Sequence, residues 1–581
     1  MRPSPVNPNS GKSLGSILGA LVAVAFLVLC TVLVVTRLER KGKEPPAGGT
    51  PATGGASTPA GALEISFYTS SAKKNWVDEM IKSFHASGAT AAGKPIRVKA
   101  VHVNSGDSLE QLKEGKIRPD LWSPGDESWL ELANQHWKRV KQKALFDDSK
   151  PLVDVPLVIA MWEPMARAMG YPKPIGWKDI AKLAADPRGW ASLGHPEWGP
   201  FRWGHAHPDA NSGFLTVLAL VYAALGKTEG ITNEDLKKPE VRAFVQNLER
   251  RVEHYGLSNT WLDDVMHARG PAYLSAAVQY ENTIIETNEK HQNKPGKLVA
   301  VYLKEGTFWT RHPVVAPQED WATPERLEAG RKFVDFLRGE TAQRRAVELG
   351  LRPFNPQTAL AAPFDDEHGV NPKLTPEIRL SVPDEKVLRR VIDLWEEVKV
   401  PATVVFILDR SGSMKGTAMD SAKEGAVQFV KSMKPADEIE VQVFSQGVTK
   451  LVELCPVKQC GEAAVDRLQG VFAEGGTALY DAVLQGYRSI SERRKKDPSR
   501  RYGIVVLTDG MDTSSTTSKH DFLDALPEGE SFDVPKIYTI AYGAEADRTL
   551  LREISNRTNA RLFESTATEI AKTYKELSAN F

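Results

Sequence analysis

Apolar and polar positions along the chain switch between a two-residue and a helical period, and that switching sets the expected architecture. Leu63–Thr69 (LEISFYT) and Pro95–Val103 read as strands, whereas Lys74–Ala86 spaces its apolar residues as one face of a helix. A short third strand is expected at Asp120–Pro124, with others over Val153–Trp162, Ala276–Glu281, Lys297–Leu303 and Pro313–Ala316, and helices between. Asp384–Val398 puts Val387, Leu388, Val391, Ile392, Trp395 and Val398 at helical spacing, a stripe suited to docking on a neighbour, and Pro401 ends it. Downstream, strands Thr403–Leu408, Glu438–Ser445, Ile504–Leu507 and Lys536–Ala541 alternate with helices Met419–Met433, Ala463–Gly470, Thr477–Glu492, Thr549–Thr558 and Thr568–Leu577. No internal repeat is visible, and the fold class expected is α/β throughout.

One apolar run breaks this rhythm. Leu14–Thr36 carries no charged residue and is long enough to cross a bilayer as a helix. It ends at Arg37-Leu38-Glu39-Arg40 rather than at a small-residue cleavage site, so it predicts an uncleaved anchor. Four basic residues follow it and two precede it, which by charge alone favours a cytoplasmic C-terminal side. Large downstream domains translocate with little regard for such flanks, and the Pro/Gly/Thr/Ala-rich stretch that follows reads as an external stalk; the bulk of the chain is therefore expected outside the membrane. The organisation expected is a tail (1–13), a transmembrane helix (14–36), a stalk (37–62), a first domain (63–357), a connector with a helix (358–400) and a second domain (401–581).

Charge excludes one class of partner. Lys+Arg and Asp+Glu are equal at 74 each, and no segment has the basic density of a nucleic-acid binder. Cys455 and Cys460 enclose only four residues and read as a disulfide of an oxidising compartment or as two free thiols near a strand end. No P-loop and no base or nucleophile beside the ligand-like residues is evident, so an enzyme is not expected.

The most pointed chemistry lies in Val404–Met414 (VVFILDRSGSM), where a buried strand ends in Asp409, Ser411 and Ser413 at alternate positions. Short oxygen-bearing side chains so placed suit a hard divalent cation. Thr477, after a Gly-Gly pair, and Asp509, at the end of a second apolar strand, join them in order. This constellation resembles the metal-ion-dependent adhesion site of von Willebrand factor type A domains over residues 401–581. The resemblance implies a doubly wound, Rossmann-like sheet with ligands at strand C-termini, and Mg²⁺ or Mn²⁺ held by Ser411, Ser413 and Thr477 directly and by Asp409 and Asp509 largely through water. It further implies an open coordination position that an Asp or Glu of a protein partner completes.

Residues 63–357 resemble a two-lobed bacterial extracytoplasmic solute-binding protein, carried by FYTSS (Phe67–Ser71), RPDLWSPGDESW (Arg118–Trp129), DVPLVIAMW (Asp154–Trp162), HPDANSG (His207–Gly213) and AAVQYENTII (Ala276–Ile285). The cleft residues expected are Ser70, Ser71, Ser123, Ser212, Gly213, Tyr280 and Glu281, for a small molecule or peptide. Serine and asparagine there also serve as plain helix caps, and Glu281 equally as a structural hydrogen-bond partner. Trp177, Trp190, Trp198 and Trp203 either offer aromatic faces to a ligand or fill a core. The function expected is a membrane-anchored binding protein with two recognition surfaces; the rival is a transporter's solute receptor whose second domain is a docking adaptor.

Chain direction adds a geometric expectation. The strand from Thr403 reaches Asp409 about 20 Å on at ~3.3 Å per residue, so the metal pole should face away from the first domain. Only Ser578–Phe581 follow the last helix, and deleting Ala579–Phe581 is expected to matter little.

Overall fold

The protein is described here by a computed structural model covering residues 61–208, 210–256, 259–375, 378–527, 534–578 and 580–581. The expected membrane helix at 14–36 and nearly all of the stalk lie outside these residues. No helix among the described residues is long and apolar enough to cross a membrane.

The first domain has two sheets. In the first lobe Leu63–Thr69 lies between Lys94–His102 and Leu121–Ser123, parallel to both, with Thr90–Ala91 at the edge. The second lobe is built on Val153–Trp162, which is buried along nearly its whole length and pairs with Leu298–Val301 and Ala276–Tyr280. Trp203–Ala206 and Val252–Gly256 continue that sheet. A two-stranded ribbon, Lys150–Pro151 against Pro313–Val314, carries the chain between lobes. Of the tryptophan run, Trp177, Trp190 and Trp203 are buried in the second lobe's core, and Trp198 is only partly buried against it.

The connector helix, Glu385–Val398, starts where the Asp384 side chain accepts from Val387 N at 3.0 Å. Its stripe packs on second-lobe helices, with Leu394 buried and Ile392 only partly so. Trp395 donates from Nε1 to Glu249 at 3.1 Å.

The second domain is a six-stranded sheet in the order Val448–Pro456, Glu438–Phe444, Ala402–Asp409, Arg501–Thr508, Lys536–Tyr542, Leu562–Ser565, parallel except for the first pair. Helices cover both faces, which is why the central strands read as unbroken apolar runs. The edge strand Val448–Pro456 and the short Leu562–Ser565 were not expected from the sequence; the first is half exposed and the second only four residues long. Cys455, next to the end of that edge strand, is disulfide-bonded to Cys460 in the next helix.

Gly61–Phe581 forms one compact unit, and the second domain meets the first at the N-terminal ends of its strands. Arg501 donates to Val252 O at 2.9 Å, with its guanidinium 5.2 Å from the Tyr255 ring centre. Lys536 pairs with Glu253, and Arg269 donates to Ala560 O at 2.6 Å. All three contacts fall on the second lobe; contact with the first lobe includes an exposed ion pair, Lys575–Asp107, at 2.9 Å.

The chain's last residue corrects the expectation that the tail is dispensable. Phe581 is 5 % exposed and sits edge-on to Tyr538 and Phe429, over Gly503. Phe581→Ala should cost about 3 kcal/mol, as for other buried aromatics. A lowered thermal midpoint, with unchanged far-UV circular dichroism at room temperature, is the expected result.

Candidate functional site

The strand Ala402–Asp409 sits where the sheet's chain order reverses, between Glu438–Phe444 and Arg501–Thr508. Loops leaving adjacent strands part there and leave a crevice at their C-terminal ends. Asp409 and Asp509 close that crevice from its two sides. Asp409 is fully buried: its Oδ1 accepts from Ser411 N at 2.7 Å and its Oδ2 from the Thr508 hydroxyl at 2.5 Å. Ser411 and Ser413 Oγ lie 3.0 Å apart, and Ser413 Oγ donates to Asp509 Oδ1 at 2.7 Å. A Cβ built at Gly510 would lie 3.8 Å from both the Ser413 and the Thr477 hydroxyl, so Thr477 faces the same spot.

Two loops hold this arrangement. Gly412 N donates to Gly475 O at 2.9 Å, and Gly475 takes a φ of +81°, a backbone that side chains disfavour. Arg410 pairs with Glu474 at 2.8 Å, and Glu474 N donates back to Arg410 O at 2.7 Å. On the other side Thr513 and Ser514 N both donate to Thr477 O. Asp481 gathers Thr516 and Thr517 through their amides and hydroxyls. Thr508 and Asp481 were missed in the sequence, although Thr508 stands beside Asp509 and could have been read from it.

Burial pushes the Asp409 carboxyl up to about 6, against the pull of hydrogen bonds from Thr508 and Ser411, with Asp509 adding to the rise. Burial also raises Asp509, opposed by Ser413. Among the described residues neither carboxylate has an ion-pair partner. No cluster of three or more His, Cys, Asp or Glu is placed to hold a metal there, and this group differs in kind: two carboxylates and three hydroxyls. Two anionic groups and three hydroxyls without a counter-charge are a hard-oxygen donor set that fits a divalent cation.

The first domain's cleft is closed. Trp129 Nε1 of the first lobe donates to Asn211 Oδ1 of the second at 2.6 Å, and Asn282 Nδ2 donates to Ala72 O at 3.2 Å. Between the lobes lies a cavity of about 80 Å³. Ser70, Ser71, Ser212 and Tyr280 line it, as the sequence implied. Three expected residues do not. Glu281 is fully buried and held by Arg352 at 2.6 Å and by the Tyr302 hydroxyl, a structural role. Gly213 packs against the Ala206 and His207 carbonyls, where a Cβ would collide at 2.1 Å. Ser123 is buried behind the wall and offers its carbonyl to Ser70 N and Lys73 Nζ.

Other lining groups came from structure alone. Asn104, Ser105, Asn282, Thr283, Glu286 and His312 face the cavity. Lys73 Nζ, behind Ser70, lies 3.2 Å from its hydroxyl and 3.3 Å from His312 Nδ1. Burial pulls Lys73 well below the ordinary lysine range; burial and the Lys73 charge do the same to His312. Helices Ser105–Lys113, Asn211–Leu225 and Glu281–His291 all begin at the cavity, and none of the three has a side-chain N-cap hydrogen bond. Their first-turn N–H groups and dipoles favour negative charge there.

Residues 65–352 match the family model for bacterial extracellular solute-binding proteins, and 403–576 match that for von Willebrand factor type A domains. The chain joins a solute-binding domain to a type A domain. Among curated proteins it is similar to inter-alpha-trypsin inhibitor heavy chain H1 of Bos taurus, 26 % identical over 171 residues, covering 28 % of this chain and 18 % of that protein. The chain thus spans under a fifth of the length of the curated relatives it matches. Solved structures similar to it include a von Willebrand factor type A protein from Catenulispora acidiphila (23 % identity, 31 % of this chain and 42 % of that one, TM-score 0.28). Another is the sulfate-binding protein SubI from Mycobacterium tuberculosis (19 % identity, 53 % and 92 % coverage, TM-score 0.36).

Burial raises the cavity's Glu286 to about 7, opposed by Asn282 and helped by Glu289. The folded protein therefore keeps this proton up to about 7, whereas the unfolded chain loses it near 4.5. Stability falls as pH rises across that window, by about 3 kcal/mol from this group. Glu286→Gln should remove that part of the pH dependence, read as the gap between wild-type and variant thermal midpoints widening from pH 4.5 to 7.

Proposed function

We propose that the protein is a membrane-anchored, extracytoplasmic binding protein, and not an enzyme, whose type A domain holds Mg²⁺ or Mn²⁺ and recognises an acidic protein ligand while its solute-binding domain takes a small molecule. The observation that carries the metal reading is the meeting of Asp409, Ser411, Ser413, Thr477 and Asp509 at the sheet's switch point without a basic partner. Ser411, Ser413 and Thr477 would supply hydroxyl ligands, and Asp409 and Asp509 would orient the ion's water. A Mg²⁺ so bound supplies a positive centre to a partner's carboxylate. The anchor rests on the uncharged run Leu14–Thr36, and the extracytoplasmic placement on that run together with the solute-binding family.

Isothermal titration with Mn²⁺ tests the site. The wild type should bind, and Asp409→Ala should lose at least tenfold in affinity while unfolding at a similar temperature; equal Mn²⁺ affinities would remove the assignment.

For the cleft, an interlobe cavity of only about 80 Å³ favours a small molecule over a peptide. The three helix starts favour an anionic one, and such a ligand would supply the counter-charge that the buried Lys73 ammonium lacks among the described residues. Lys73→Met should abolish heat release on titration with small oxyanions and carboxylates, whereas a variant that binds them as the wild type does would sink the anionic reading. A second reading, a transporter's solute receptor with the type A domain as docking adaptor, is favoured by retention of both lobes and of an interlobe cavity.

A further inference from the structure

Large apolar side chains rarely stand far out of a folded surface unless something covers them. Among the described residues the two most exposed are Phe472 and Met511, at 64 % and 63 %. They lie in different parts of the chain, yet both stand on the loops that carry the candidate metal ligands: Phe472 five residues before Thr477 and Met511 two after Asp509. The loops are fixed rather than slack. Arg410, paired to Glu474, holds its guanidinium 5.8 Å from the Phe472 ring centre, and the Met511 loop is tied by Ser515 to Asp512 at 2.5 Å and by Thr513 N to Thr477 O at 2.8 Å. Backbone ties of this kind hold both side chains outward and lower the entropy lost when they are covered.

We infer that Phe472 and Met511 form the apolar rim of the type A domain's ligand site, selecting a protein segment in which the acidic residue is flanked by apolar side chains. The inference rests on the metal reading above: a cation with an open position recruits a carboxylate, and a carboxylate alone is common to every acidic surface. Arg410 on the same rim is already paired with Glu474, so charge complementarity to that acidic residue rests on the cation. The rim supplies the discrimination, since covered aromatic and methionine side chains contribute the larger part of such contacts. Nucleic acid does not fit, because Lys+Arg and Asp+Glu are equal at 74 each and Arg410 at the site is paired with Glu474.

The test uses the full chain with saturating Mn²⁺ and two fluorescein-labelled short peptides, one with aspartate between two leucines and one with aspartate between two serines. The leucine peptide should bind about tenfold tighter, and Phe472→Ser or Met511→Ser should each remove most of that difference. Mn²⁺ affinity should be unchanged in both variants, since neither residue offers the ion an oxygen. Equal affinities for the two peptides, or no binding of either by a chain that takes Mn²⁺, overturns the rim proposal and leaves the metal reading standing. A parent chain that takes no Mn²⁺ fails the metal reading itself, and the rim with it. Binding of the parent to neutral phosphatidylcholine vesicles, lost in Phe472→Ser and accompanied by no peptide preference, assigns the two side chains to lipid and equally overturns the proposal.

Discussion

A carboxylate with no solvent exposure at the end of a doubly covered strand is the constraint on which the type A domain turns. Removing an ionised group from water is costly unless it is compensated, and Asp409 receives only hydrogen bonds from Thr508 and Ser411. The fold cannot move this group outward, because the strand behind it, Ala402–Leu408, is buried on both faces by helices. What remains is compensation from the open side, where Ser413, Thr477 and Asp509 already converge. The site is therefore a product of sheet topology: reversing the strand order at this point places a second strand terminus beside the first and parts the loops that would otherwise cover them.

The cleft is arranged by similar means with opposite sign. Helices rather than strands begin there, Asn211–Leu225 and Glu281–His291 without a side-chain N-cap hydrogen bond, beside a space that also holds the Ser70 hydroxyl, with Lys73 behind it. One site thus gathers two carboxylates and the other three helix N-termini, each at the place where chain elements terminate.

Much of this was legible from the sequence, for physical reasons. The central strands and the connector helix could be read because burial on both faces, or on one helical stripe, leaves a strong pattern. Leu63–Thr69, Lys74–Ala86 and Val153–Trp162 have the boundaries expected. The half-exposed Val448–Pro456 left no such pattern. Within the candidate metal constellation, spacing along a single loop carried the information, so Asp409, Ser411 and Ser413 could be found together. The cleft was harder. His312 is 239 residues from Lys73, and only the fold brings them within 3.3 Å. Glu281 misled because it directly follows a true cleft residue, Tyr280, while its side chain turns into a buried pair with Arg352.

The placement of the domain contact has a mechanical meaning. Arg501, Lys536 and Ala560 of the type A domain meet the second lobe, while the described chain enters through the first lobe, where Gly61 leads directly into Leu63–Thr69. Between the two lobes runs the narrow ribbon of Lys150–Pro151 and Pro313–Val314. Gly61 and these three contacts thus lie on opposite sides of that ribbon, and the exposed Lys575–Asp107 pair bridges them. A rotation of the lobes about that ribbon would carry the type A domain with the second lobe relative to Gly61 and would part Lys575 from Asp107, with no change needed inside the type A domain itself.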